Sequence, residues 1–119
     1  MNTITVLLAE DHTFVREGFR KMLEMENDFE VIAEAGNGRD AVALAKKLRP
    51  AVVLMDIAMP QLNGLEATRQ MLKADPSAKV IMLSAHNDDA YISEAANSGA
   101  AGFVLKQSSS QSVCPLAAR

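Results

Sequence analysis

Cysteine is nearly absent: among 119 residues only Cys114 carries a thiol, so no intrachain disulfide can form. No Cys/His spacing matches a zinc site either, and the expected setting is a reducing compartment, the cytoplasm. Positive charge is in deficit. Lysine and arginine number 12 against 15 aspartates and glutamates, a net charge of −3, so the chain as a whole has no field to attract a nucleic-acid backbone. Long hydrophobic runs are lacking as well. The apolar stretch Ile4 to Ala9 is too short for a bilayer, has no basic leader or cleavage signal, and runs into Glu10-Asp11. It reads as a strand, and no membrane segment is expected.

Core material, by contrast, is plentiful. Hydrophobic residues make up 49% and charged residues 23%, the balance of a folded globular chain. Its length suits one domain that buries roughly two-thirds of its unfolded surface. Short apolar runs alternate with stretches of helical period, the pattern of strands joined by crossover helices in a mainly parallel sheet. Strands are expected at Ile4 to Ala9, Phe29 to Ala35, Ala51 to Met55, Val80 to Ser84 and Gly102 to Leu105. Most are aliphatic throughout, as strands covered on both faces are; the second alternates, with Glu30 and Glu34 among apolar neighbours, and belongs at an edge.

Between the strands, a first helix buries Val15, Phe19, Met22 and Leu23 and turns Arg16, Glu17, Arg20 and Glu24 outward. A second is capped by Asn37, buries Ala41, Val42, Leu44, Ala45 and Leu48, and ends at Pro50. A third carries Leu65, Thr68, Met71 and Leu72 and stops near Asp75-Pro76. A fourth begins near Asp88, buries Ala90, Ile92, Ala95 and Ala96, and ends at Gly99 in a left-handed cap. Seven methionines, Met22, Met71 and Met82 among them, are read as core filler. A fifth helix would close the sheet, but Ser108, Ser109, Ser110, Ser112 and Pro115 disfavour one; this end is read as short, broken or frayed.

In an open parallel sheet, ligands gather beyond the carboxyl ends of the strands, where strand order reverses. The first strand leads into Glu10 and Asp11, the third into Asp56, the fourth into Ser84 and the fifth into Lys106. Singly, each has an ordinary explanation as a cap, a turn or a solvated charge. Together, three carboxylates at one rim repel one another unless protonated or bridged by a cation. Hard oxygen donors suit magnesium, which completes its shell with waters and substrate phosphate. Lys106 and the Ser84 hydroxyl would then serve phosphoryl oxygens. Asp56 would attack phosphorus while the ion offsets negative charge on both partners.

With their neighbours, these residues resemble the receiver domain of bacterial two-component response regulators. The resemblance runs from about Ile4 to Lys106 and is carried by Leu8-Ala9-Glu10-Asp11-His12, Val53-Leu54-Met55-Asp56-Ile57-Ala58-Met59-Pro60, Asn63-Gly64, Leu83-Ser84-Ala85 and Gly99-Ala100-Ala101-Gly102-Phe103-Val104-Leu105-Lys106. It implies a three-layer (βα)5 flavodoxin-like α/β domain with sheet order 2-1-3-4-5. It implies one receiver domain over residues 1–119, well matched over 4–106 and atypical over 107–119, with no output domain in this chain. Asp56 then matches the phosphoacceptor; Glu10 and Asp11 match the acidic pair that holds Mg2+ (or Mn2+), joined by the backbone carbonyl of Ala58. Ser84 matches the switch hydroxyl, Lys106 the lysine that pairs with the phosphoryl group, and Phe103 the aromatic switch position. The implied partner is a sensor histidine kinase, and the implied consequence is a population shift of the surface built from helix four, strand five and helix five.

Glu10-Asp11-His12, Val15-Arg16-Glu17-Gly18, Leu65-Glu66-Ala67 and the Gly102 to Lys106 ending are most similar to the NarL/FixJ (LuxR-type) transcription regulators. In that group a DNA-binding output domain follows the receiver, so DNA would be reached only through a segment not present here. The resemblance implies self-catalysed phosphorylation and dephosphorylation, not a turnover enzyme, and homodimerisation on phosphorylation through a face that the serine-rich end leaves open. Two rivals stand beside it. One is a receiver-fold interaction module that is never phosphorylated. The other is an aspartyl-phosphate phosphatase, which would need an acid–base carboxylate where Ala58 stands. A flavin carrier of the same topology is disfavoured, because Glu10-Asp11 would repel a flavin phosphate. His12 and His86 are read as exposed loop or helix-start residues, and Gly36-Asn37-Gly38 as a tight turn.

Overall fold

The computed structural model describes residues 3–57, 59, 61–84, 93–94 and 96–105. Five parallel strands form one sheet: β1 (Ile4–Ala9), β2 (Phe29–Ala35), β3 (Val52–Asp56), β4 (Lys79–Ser84) and β5 (Gly102–Leu105). Their order is β2-β1-β3-β4-β5, so the alternating strand is indeed at an edge. Three of the expected strands have the bounds read from sequence; β3 lies one residue later and β4 starts one residue earlier. Helices α1 (Thr13–Glu24), α2 (Gly38–Leu48) and α3 (Gly64–Ala74) connect them. Ser93, Glu94, Ala96 and Asn97 are also helical, whereas Ala90, Ile92, Ala95 and the place of a fifth helix lie outside the described residues.

Alternation along each strand divides the core into two apolar layers. Leu7, Ala9, Val53, Met55, Val80 and Met82 face Ala41 and Val42 of α2 and Leu65, Ala67 and Met71 of α3. Val6, Leu8, Val52, Leu54, Ile81 and Leu83 face Phe19 and Leu23 of α1. The consecutive apolar side chains of Val6 to Ala9, Val52 to Met55 and Val80 to Leu83 therefore serve both layers at once. Met55, Met59, Met71 and Met82 fill this core, but Met25 is exposed and is not filler.

Helix ends follow the polar residues that the sequence supplies. Asn37 Oδ1 accepts from the Asp40 N–H at 2.8 Å, and Asn63 Oδ1 accepts from the Glu66 N–H at 3.0 Å. Each satisfies one of the amides that a helix start leaves without a partner. The second helix closes on Arg49 in the left-handed region, just before Pro50. Gly99 has a φ of 96°, the left-handed residue expected there.

Among the described residues, two further expected core positions face solvent. Leu48 is 40% exposed, because the left-handed turn at Arg49 ends α2 before its last apolar residue reaches the sheet. Ala96 is exposed while Ser98 is buried. A methyl group buries too little area to fix which face of an alanine-rich segment turns inward.

Candidate functional site

The strand order reverses between β1 and β3, whose carboxyl ends stand side by side with Ala9 paired to Met55. Glu10 continues the parity of Val6 and Leu8, and Asp56 that of Val52 and Leu54, all four of which belong to the layer under α1. Shared parity brings both carboxyl groups to one side of the crevice. One ligand atom from each of Glu10, Asp11, His12 and Asp56 lies within 4.8 Å of all the others. Glu10 and Asp56 are 0% and 2% exposed, and Asp11 is half-buried.

Buried like charges at this spacing are costly, and neighbouring groups offset them. His12 Nδ1 lies 3.0 Å from Glu10 Oε1 and 3.1 Å from Asp11 Oδ1, and the His12 backbone N–H donates to Glu10 Oε1 at 3.2 Å. The imidazole is exposed, as its place at a helix start led us to expect, yet it touches both acids, which the sequence reading did not anticipate. Glu10 Oε2, Asp11 Oδ1 and Asp56 Oδ2 are shielded from water, with Asp11 Oδ1 beside the His12 ring and the Glu10 and Asp56 side chains engaged in further interactions. Carboxylate oxygens shielded from water and gathered within 4.8 Å of one another fit a hard divalent cation. The acidic cluster could hold a metal ion.

Two further features shape the cluster. Arg16, expected on the outer face of α1, turns inward: its Nη1 donates to the Glu10 carbonyl at 2.8 Å and its Nε to Glu34 Oε1 at 2.9 Å. Arg20 Nη1 donates to the other oxygen of Glu34 at 2.8 Å. Glu24 first, and Glu34 after it, hold the Arg20 guanidinium above its ordinary pKa. On the other side, α3 begins hard against the end of β3. The Gly64 N–H donates to the Ile57 carbonyl at 2.8 Å, and a Cβ at Gly64 would collide with the Asp56 carbonyl.

Ser84 ends β4, 3% exposed, one residue beyond the pair formed by Asp56 and Leu83. It is also paired in register with Leu105 of β5. Phe103 pairs with Met82 and packs half-buried against the layer under α2 and α3. Glu10, Asp11 and Asp56 are thus brought together, and Ser84 and Phe103 stand on the adjoining strands. Ala58, His86 and Lys106 lie outside the described residues.

A crevice of this kind, on a sheet of this order, is the plan of a signalling receiver. The model of the response regulator receiver domain matches residues 6–117, and the chain belongs to that family: it is a receiver domain of the two-component response regulators. It is 43% identical over 106 residues to the transcriptional regulatory protein DegU of Brevibacillus brevis, covering 89% of this chain and 45% of that protein. The signal receiver domain of a response regulator NarL from Mycobacterium tuberculosis superposes with a TM-score of 0.93 at 30% identity, covering 99% of this chain and 98% of that one. CheY in the CheX-CheY-BeF3-Mg2+ complex from Borrelia burgdorferi gives a TM-score of 0.90 at 25% identity, covering 97% and 87% of the two chains. The chain spans about half the length of the curated relatives it matches. Among the described residues, no helix is long and apolar enough to cross a membrane.

Proposed function

We propose that Asp56 is the phosphoacceptor of this receiver, that Glu10, Asp11 and Asp56 hold Mg2+ with the Ala58 backbone carbonyl, and that Ser84, Lys106 and Phe103 relay the phosphorylated state. The observation that carries the reading is the convergence of three shielded carboxylate groups from two strand ends within 4.8 Å. Bound there, magnesium would supply positive charge against the anionic phosphoryl donor and acceptor. Asp56, buried against the end of β3, has little freedom to turn away, so its oxygen is pre-positioned for in-line attack. The donor is the phosphohistidine of a sensor kinase; its P–N bond breaks as the Asp56 oxygen bonds phosphorus, giving an acyl phosphate. The relative crystallised with BeF3 and Mg2+ supports the choice of ion, since BeF3 bound to an oxygen ligand takes the tetrahedral form of a phosphoryl group.

After transfer, the Ser84 hydroxyl would donate to a phosphoryl oxygen and the Lys106 ammonium would pair with another. Ser84 moving toward Asp56 frees space beside β4, into which the Phe103 ring settles, biasing the β4–β5 surface to its active form. The reaction is confined to the domain's own side chain, with later hydrolysis regenerating Asp56. The longer protein would use this switch to control transcription through a DNA-binding output domain in the cytoplasm, as its relatives' names as transcriptional regulators support.

Incubation with acetyl phosphate and Mg2+, followed by intact-mass measurement, tests the assignment. One phosphoryl group should be added to the wild type, none in chelator, and none to Asp56→Asn. Modification that persists in Asp56→Asn would refute it, and a wild type that never gains mass would favour the unphosphorylated interaction module.

A further inference from the structure

We infer that Arg16 is a positioning residue of the acidic site: by holding the Glu10 carbonyl, it fixes the peptide that joins Glu10 to Asp11 and so the mutual orientation of their carboxylates. The inference rests on the receiver reading above, in which that pair binds magnesium.

The pairing of β2 with β1 shifts register between Val6 and Leu7, so that Val31 pairs with Val6 but Ala33 with Leu7. Ile32 is therefore the extra residue of a β-bulge, and the faces of β2 exchange there. Val31 packs in the layer under α1, whereas Ala33 packs in the layer under α2 and α3. Beyond the bulge Glu34 pairs with Leu8, which puts its side chain on the α1 side. In an unbulged strand Glu34 would pair with Ala9 and point into the opposite layer. The bulge thus delivers a carboxylate to α1, where Arg16 and Arg20 each take one of its oxygens.

Anchored this way, the Arg16 guanidinium has a second edge left for the Glu10 carbonyl at 2.8 Å. The Glu10 N–H, in turn, donates to the Ala35 carbonyl at 2.9 Å. Both flanks of Glu10 are consequently tied to the end of β2, one directly and one through Arg16. A carbonyl oxygen and the following amide share one rigid plane, so fixing the Glu10 carbonyl also fixes the N–H of Asp11. Rotation of that plane would swing one acid relative to the other, and a cation with near-octahedral demands tolerates little of it. Arg16 is only 20% exposed and Glu34 27%, which keeps water from competing for these bonds.

Charge and position make opposite predictions, which allows a clean test. If Arg16 acted only as a nearby positive charge, removing it would tighten magnesium binding. Positioning predicts the reverse. Calorimetric titration of the whole chain with Mg2+ should show about tenfold weaker binding for Arg16→Met, the scale typical of groups that orient metal ligands. Arg16→Lys keeps the charge without the two-edged fork and should also bind more weakly, by a smaller factor. Arg20→Met removes the same charge one turn along but leaves the Glu10 carbonyl held, and should not weaken binding. In metal-free protein, the amide resonance of Asp11 should move in both Arg16 variants and not in Arg20→Met.

Unchanged or tighter binding by folded Arg16→Met, beside a wild type that binds magnesium, would overturn the inference. Should Arg16→Met not fold, wild-type affinity in Arg16→Lys overturns it and weaker affinity supports it. A wild type that neither binds magnesium nor accepts phosphate overturns the receiver reading itself, and the inference with it.

Discussion

Asparagine at position 56 should make the metal-free protein more stable, not less, by about 1–2 kcal/mol, while abolishing its response to magnesium. Asp56 lies with Glu10 and Asp11 in a cluster whose ligand atoms are within 4.8 Å of one another. A pair of unit charges at that distance repels by roughly 3 kcal/mol at an effective dielectric of about 20. His12 touches Glu10 and Asp11 and relieves part of that repulsion, and the other interactions of Asp56 relieve more, which sets the net gain below the pairwise figure. Asparagine keeps the shape and the hydrogen-bonding capacity and removes the charge. Magnesium should reverse the ranking: a ligand at about 100 times its Kd stabilises the wild type by about 2.7 kcal/mol, and the variant has lost a ligand. Urea unfolding with and without Mg2+ reads both effects. A variant less stable than the wild type in chelator would show that Asp56 is held by favourable partners and carries no electrostatic strain.

The acidic part of the site could be read from residues alone. Acids directly after aliphatic runs mark the carboxyl ends of buried strands, and the reversal of strand order brings two of those ends together. Glu10, Asp11 and Asp56 were legible because their positions depend on only those two facts. The second helix was legible for a similar local reason, since Asn37 caps it through a contact only three residues away. Leu48 and Ala96 were misjudged because helical periodicity gives a direction but does not say where the helix ends or how firmly a small side chain chooses a face.

Arg16 was placed with the outward residues by that same periodicity. Nothing local corrects the error, because what draws it inward is Glu34, eighteen positions away, and Glu34 is available only because Ile32 is a bulge. A run such as Phe29 to Ala35 carries no mark of one extra residue; the mark lies in its pairing with β1. Register across strands, not composition within them, therefore separates the part of the site that the sequence announces from the part that tunes it.

A change of one methyl group at Gly64 should be among the most damaging small substitutions in the described part of the chain. A Cβ there would strike the Asp56 carbonyl and come within 2.9 Å of Ile57 Cα, and both obstacles are backbone. No rotamer change can clear them. Either α3 withdraws, losing the Gly64 to Ile57 hydrogen bond and loosening Leu65, Ala67 and Met71 from the core, or the end of β3 moves and carries Asp56 with it. We expect Gly64→Ala to cost about 3 kcal/mol, at the upper end for overpacking. Its folded fraction should bind magnesium and accept phosphate poorly. Gly18→Ala is the matched control, because no atom stands within 4 Å of a Cβ built there, in the middle of α1. That change should add up to about 1 kcal/mol through helix propensity and leave phosphorylation unchanged. The same substitution thus has opposite signs at two helical glycines, and the difference is the closeness of the chain that carries the phosphoacceptor. Equal stability of the two variants in urea, or full phosphorylation of Gly64→Ala, would mean that α3 can retreat without disturbing β3 and that the helix start does not set the position of Asp56.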